Sequence, residues 1–210
     1  MSSDVQSSRA SLLSARRLGW SRLVRAAVRR IREQLAVLRA PRTTREQMGT
    51  VPLRRLLVVC YGNIYRSAFL AEYLRAAALP ELEVRSAGVH PVPDRPSPER
   101  HVRMSALLGV DLRGHRSRVL QGDDIAWADA IVVMDRHNWT SVVEAGAPTE
   151  KILWAGVLAG DGKDVEIGDP YHLGDAEAKL VLERLVACGR VIERRIRGEA
   201  ALSANFVSAQ

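Results

Sequence analysis

From Leu53 onward the sequence alternates between two periods, and no other feature constrains its fold so tightly. "LLVVC" (residues 56–60) is short, continuous and apolar, as a strand buried on both faces requires. "AFLAEYLRAAAL" (68–79) follows with the three-and-four spacing of a helix, and "LEVRSAG" (82–88) reads as a second strand ending in glycine. "SPERHVRMSALLG" (97–109) predicts a helix, "ADAIVVM" (128–134) a third strand, residues 135–145 a helix and "KILW" (151–154) a short fourth strand. "DAEAKLVLERLVACGRVIERRI" (175–196) closes the pattern as a long amphipathic helix. Strands separated by helices predict an α/β fold, an open four-stranded parallel sheet with helices on both faces. Such sheets bind ligands beyond the carboxyl ends of their strands. Cys60 stands at the end of the first.

A chain of 210 residues with 47% hydrophobic composition holds one ordinary domain with room for an appendage. Its two cysteines, Cys60 and Cys188, are far apart in sequence, which excludes a disulfide framework and a cysteine-rich zinc site and points to a reducing, cytoplasmic setting. Cys188 falls on the apolar side of the closing helix and is expected in the core. No apolar run reaches the length of a membrane span, and the N-terminus lacks the order of a secretory signal. The net charge of +7 is unevenly placed: residues 1–50 carry eleven Arg and three acids, whereas residues 51–210 carry 20 basic and 21 acidic residues. A near-neutral main domain argues against a nucleic-acid partner despite the high overall pI.

The excess charge belongs to the N-terminal segment. In "WSRLVRAAVRRIREQLAVL" (20–38), Trp20, Leu23, Val24, Ala27, Ile31, Leu35 and Leu38 recur at steps of three or four, with Arg22, Arg25, Arg29 and Arg32 opposite. This predicts a basic amphipathic helical extension. Four readings fit it: a solvated helix docked on its own domain, an arm over residues 12–39 for an anionic membrane surface or a protein partner, a transit peptide, or a leader preceding a true start at Met48. The arm reading makes the protein cytoplasmic and peripheral to a membrane. "RAPRTTREQMGTVP" (39–52) reads as linker, so the expected layout is an extension and linker over 1–50, a main domain over 51–200 and a flexible tail over 201–210.

The loop after the first strand carries the chemistry. Cys60 to Ser67 reads Cys, Tyr, Gly, Asn, Ile, Tyr, Arg, Ser and joins a strand to a helix. A loop of this length folds around a tetrahedral oxyanion with its N–H groups pointing inward, reinforced by the positive end of the following helix. Gly62 lets the backbone come close, and Asn63 tolerates left-handed backbone while bonding across the loop. Arg66 offers a planar fork for two phosphoryl oxygens. Helix N-termini and cations favour the thiolate, the nucleophilic form of cysteine, and Ser67 is placed to donate a hydrogen bond to it. This is not a nucleotide-binding loop, because the Gly-Lys-Ser/Thr ending is missing.

The same loop resembles the signature of the low-molecular-weight protein tyrosine phosphatases: cysteine, one residue, Gly-Asn, two residues, then Arg-Ser, at the end of the first strand. Chance would match these five types in on the order of one chain in ten thousand. "RSAG" (85–88), "GVDLRGHRSRVL" (109–120), "DAIVVMDRHN" (129–138) and "GDPY" (168–171) resemble further family segments in order and spacing. The resemblance implies a phosphotyrosine protein phosphatase working through a phosphocysteine on Cys60. It implies Arg66 as phosphate clamp, Asp169 as general acid, and Pro170 and Tyr171 as the turn and ring beside the substrate. Phosphate and substrate contacts are expected from Tyr61, Gly62, Asn63, Ile64, Tyr65, Ser67 and Tyr171. No metal or other cofactor is expected, since Arg66 and the loop amides offset the charge of the transition state. His115, Asp129 and Asp135 are expected in structural roles.

Three departures stand out. Tyr65 occupies a position that is often a second cysteine, so no neighbouring thiol can trap an oxidised Cys60. Ala68 replaces a common proline. Tyr61 is bulky, and "GVHPVPDRP" (88–96) lacks an evident aromatic wall. Ile64 fits phosphotyrosine, whereas relatives acting on phosphoarginine tend to carry threonine there. Two other functions use the same fold. Arsenate reduction needs two further cysteines, absent from Val132 to Trp139, and a phosphate-binding scaffold of weak activity would leave Cys60, Arg66 and Asp169 without work.

Overall fold

The computed structural model describes residues 3–160 and 164–198, the side chains of residues 3–22 excepted. The expected tail at 201–210 and the side chains of the first part of the expected arm therefore lie outside the described residues. Two compact units divide between Leu38 and Arg39. In the first, helix α1 (Ser3–Thr50, which continues into the second unit) carries Leu23, Val24, Val28, Ile31, Leu35 and Leu38 with their side chains exposed. Among the described residues no helix is long and apolar enough to cross a membrane.

The second unit is built on four parallel strands, β1 (Arg55–Cys60), β2 (Glu83–Gly88), β3 (Ala130–Val133) and β4 (Ile152–Trp154), in the order β2-β1-β3-β4. β1 is central, with Leu56 opposite Val84 on one side and Ala130 on the other. That position explains its unbroken apolar run. Leu56 and Val58 join a core with Phe69, Leu70, Leu185 and Cys188, while Leu57 and Val59, equally buried, point to the opposite face.

Helices α2 (Arg66–Ala76) and α7 (Asp175–Ile196) contribute to that core from one side. Helices α3 (Glu99–Ala106), α4 (Gly122–Trp127), α5 (Arg136–Glu144) and α6 (Ala155–Ala159) fill the connections. The short α4 and α6 were not expected from sequence, being too brief to show a helical period.

Residues 39–52, expected as linker, are helical as far as Thr50 despite Pro41. Ala40, Thr44 and Met48 are buried at four-residue spacing, and Met48 enters the main core. The Thr44 hydroxyl accepts a hydrogen bond from the Trp154 backbone N–H at 3.2 Å, so this turn satisfies the outer strand β4. Gln47 Nε2 donates to the Thr149 carbonyl (3.0 Å), and Arg195 Nε donates to the Met48 carbonyl (2.7 Å). Tertiary contacts override the local signals of Pro41 and Gly49.

Candidate active site

The chain turns at Cys60 and re-enters helix at Arg66, so five residues wrap the carboxyl end of the central strand. Cys60 Sγ accepts hydrogen bonds from the Asn63 backbone N–H (3.2 Å) and the Ser67 hydroxyl (3.0 Å). Such bonds are strongest when the acceptor is charged, so this pair of donors suits a thiolate. Asn63 adopts φ 51°, the left-handed conformation expected for it. Its Nδ2 donates to Ser67 Oγ (2.9 Å), its Oδ1 accepts from the Arg118 N–H (2.8 Å), and its carbonyl accepts from His115 Nε2 (2.7 Å). Asn63 and Ser67 are fully buried and thus brace the loop from behind.

Two neighbours not expected at the site shape this loop. A Cβ on Gly88 would stand 2.8 Å from the Tyr61 carbonyl oxygen and 2.9 Å from the Asn63 nitrogen, which only glycine avoids. His115, expected as structural, holds the loop from the other side, with Nδ1 3.9 Å from Glu72 Oε1. The neighbouring His115 ring lowers the Glu72 carboxyl below its ordinary range, against the opposing effect of burial, and Arg75 assists.

Arg66 is 1% exposed and is held on three sides. Nη1 donates to Asp135 Oδ2 (2.7 Å) and to the Ile167 carbonyl (2.8 Å), and Nη2 donates to Asp169 Oδ2 (3.0 Å). Burial alone would weaken its charge, but Cys60, Asp135 and Asp169 outweigh that and hold the guanidinium above the usual arginine range. Its Nε is buried with no partner among the described residues. An orphaned donor of this kind fits an arginine whose Nε–Nη2 edge is meant for an oxyanion. Asp135 also caps α5, its Oδ1 accepting from the Asn138 N–H at 2.8 Å.

Asp169 opens the short 3₁₀ turn Pro170–His172, and its Oδ1 accepts from the Tyr171 N–H at 3.1 Å. Asp169 is thereby fixed beside Arg66 while its carboxylate stays 44% exposed. A cleft of about 380 Å³ is lined by Cys60, Tyr61, Gly62, Ile64, Tyr65, Arg66, Asp169 and Tyr171. His90, Arg95 and His172 also line it, and no motif in the sequence points to them.

The segment expected to lack an aromatic wall supplies an imidazole instead. The His90 ring meets Tyr61 edge to face at 5.5 Å between centroids. Tyr65 is almost fully buried, tilted against His101 at 4.0 Å and edge-on to Tyr171 at 5.9 Å. Burial pushes the Tyr65 phenol up, so it stays neutral. Among the described residues no cluster of three or more His, Cys, Asp or Glu is placed to hold a metal ion.

Comparison with known proteins agrees with this geometry. The family model of the low molecular weight phosphotyrosine protein phosphatases matches residues 55–201. The probable low molecular weight protein-tyrosine-phosphatase EpsP of Ralstonia nicotianae is 39% identical over 121 residues, covering 57% of this chain and 80% of that protein. The tyrosine phosphatase Wzb from Escherichia coli K30, solved with sulphate, superposes with a TM-score of 0.60 at 28% identity, over 68% of this chain and 99% of that one. The arginine phosphatase YwlE from Geobacillus stearothermophilus superposes with a TM-score of 0.62 at 26% identity, over 70% of this chain and 94% of that one. With the family model spanning every element of the sheet and its loop, this chain belongs to the low molecular weight phosphotyrosine protein phosphatase family, whose members are cysteine-dependent phosphatases.

Proposed function

We propose that the protein hydrolyses phosphotyrosine in protein substrates through a phosphocysteine on Cys60. The observation that carries this reading is the Cys60 sulfur, which accepts two hydrogen bonds, at one end of a loop whose other end, Arg66, donates to Asp169 at 3.0 Å. Nucleophile, phosphate clamp and acid are then lined up along one cleft.

In the first step the Cys60 thiolate attacks phosphorus while the bond from phosphorus to the phenolic oxygen breaks. Asp169, as the carboxylic acid, gives its proton to that oxygen, and tyrosine leaves neutral. Arg66 and the loop N–H groups hold the three equatorial oxygens throughout. In the second step Asp169, now a carboxylate, takes a proton from water as the water oxygen attacks phosphorus. The S–P bond breaks, the Ser67 and Asn63 donors receive the thiolate, and inorganic phosphate departs.

A flat aromatic substrate is favoured by what lines the cleft. Three of the four tyrosines of the chain, Tyr61, Tyr65 and Tyr171, face it together with Ile64. Since a structural relative is an arginine phosphatase, the test sets phosphotyrosine against phosphoarginine peptides, each in the presence of a chelator. Phosphotyrosine turnover should dominate and vanish in Cys60→Ser. Asp169→Ala should lose about 10²–10⁴-fold in rate, and less on leaving groups that need no proton. Wild-type turnover by Cys60→Ser would falsify the reading.

We further infer that catalysis resides in residues 51–200 together with the helical residues 39–50 that pack on them, with 201–210 as a tail, and that the extension ahead of Arg39 meets an anionic membrane surface. Support for the membrane role comes from the exposed apolar residues Leu23, Val24, Val28, Ile31, Leu35 and Leu38 along a helix that also carries Arg25, Arg29 and Arg32.

A further inference from the structure

Arg95 stands out among the charged residues of the cleft. Arg66 has its charge offset by Asp135 and Asp169, and three further arginines are matched, Arg100 to Asp175 at 2.6 Å, Arg113 to Asp111 at 2.7 Å and Arg118 to Asp124 at 3.0 Å, while Arg116, which bonds the His115 carbonyl at 2.9 Å, does not line the cleft. Arg95 is held differently. Its Nη2 donates to the Gly62 carbonyl (2.6 Å) and its Nε to the Val92 carbonyl (3.1 Å), and it forms no ion pair with any described residue. Carbonyl dipoles orient a guanidinium without cancelling its charge.

The backbone beneath it is fixed as firmly. The Arg95 N–H donates to Ser117 Oγ (3.0 Å), the Ser117 N–H donates to the Arg95 carbonyl (2.9 Å), and the Asp94 N–H donates to the Ser117 carbonyl (2.8 Å). Asp94 itself is exposed and does not pair with Arg95. His90, also lining the cleft, accepts at Nδ1 from the Val92 N–H (3.1 Å) and so presents its other nitrogen as a donor. Apart from Asp169, no carboxylate among the described residues lines this cleft. A cation pinned to the loop two residues from the nucleophile and left without a counter-charge has the properties of an anion subsite, already ordered before any ligand arrives.

On the reading that the substrate is phosphotyrosine, we propose that Arg95 forms a second anion subsite that binds the carboxylate of an acidic residue flanking the phosphotyrosine. An extended peptide rises about 3.3 Å per residue, so a side chain one or two positions away reaches the cleft rim while the phosphate occupies the loop. The subsite sets which phosphoproteins are preferred and takes no part in the bond changes. A lysine-flanked peptide is disfavoured by the same charge.

The test measures kcat/KM on phosphotyrosine peptides that differ only in flanking Glu, Ala or Lys, with p-nitrophenyl phosphate as the flankless reference. The wild-type protein should prefer Glu over Ala by up to about fivefold at low ionic strength, shrinking towards unity in molar salt. R95Q should erase the preference, R95E should invert it in favour of Lys, and R95K should keep most of it. Any common loss from loosening the Gly62 carbonyl cancels in these ratios. An unchanged Glu-to-Ala ratio in R95E overturns the subsite while leaving the phosphotyrosine reading intact. Turnover of phosphoarginine peptides with none of any phosphotyrosine peptide overturns both.

Discussion

Asp135 divides its two oxygens between two tasks, one holding the Arg66 guanidinium and the other capping α5. Asp135→Asn keeps an oxygen for the cap but removes the charge facing a buried cation. Hydrogen bonds to charged groups are worth about 1.5–3 kcal/mol, so kcat/KM for an aryl phosphate should fall by about 10–100-fold, mostly through KM. Steady-state kinetics beside a thermal melt will separate that effect from unfolding.

His101 offers a pH test of the packing under the loop. Burial lowers its pKa from 6.5 to about 4, only partly opposed by a hydrogen bond with the Tyr65 backbone, and its Nε2 has no partner among the described residues. Between those values the unfolded chain binds a proton that the native state refuses, so stability falls as pH drops from about 6.5 towards about 4. From pH 7 to pH 5 the loss amounts to about 2 kcal/mol. Urea unfolding across this range should show His101→Phe with a markedly flatter profile than the wild type; parallel profiles would reject the assignment.

At this scale the sequence was an uneven guide. Cys60, Gly62, Asn63, Arg66 and Ser67 were legible as one loop because fixed types recur at fixed offsets, and Asp169, from a distant segment, stands 3.0 Å from the Arg66 guanidinium. Gly88, Arg95 and Asp135 were not legible as site residues. Each acts through a contact made by folding, and a contact leaves no periodic trace in the chain.

Among the elements, the end of α1 shows how local signals mislead. Pro41, Gly49 and paired threonines suggested a linker, yet the four-residue recurrence of Ala40, Thr44 and Met48 was present in the sequence and proved the stronger signal. Thr44→Val keeps the volume but leaves the Trp154 N–H without its acceptor. An unsatisfied buried donor costs about 1–3 kcal/mol, so the urea midpoint should drop by that equivalent. Turnover at low denaturant should be unchanged, because β4 lies at the edge of the sheet away from Cys60.

Across the whole molecule, the order β2-β1-β3-β4 brings distant segments to one edge. The connections after β1, β2 and β3, and the 167–171 segment beyond β4, all converge on Cys60. That convergence was foreseeable from the alternation of strands and helices, although the depth of the cleft was not. Charge is distributed at the same scale, with the basic excess confined to the first 50 residues. Full-length protein should therefore sediment with vesicles rich in phosphatidylserine and be released by salt, whereas a chain beginning at Arg39 should stay in the supernatant. Equal recovery of the two would remove the membrane role.

The two thiols differ in a way that extends beyond catalysis. Cys188 is sealed in the core, where burial pushes its pKa to about 12, while Cys60, 2% exposed, lines the cleft, with Tyr65 where a second thiol could have stood. Alkylation of the native protein therefore has one available target, and consumption of reagent stops at one equivalent per chain. The chain carries its own titrant for competent loops: the ratio of reagent consumed to protein present reports what fraction of a preparation is folded for work.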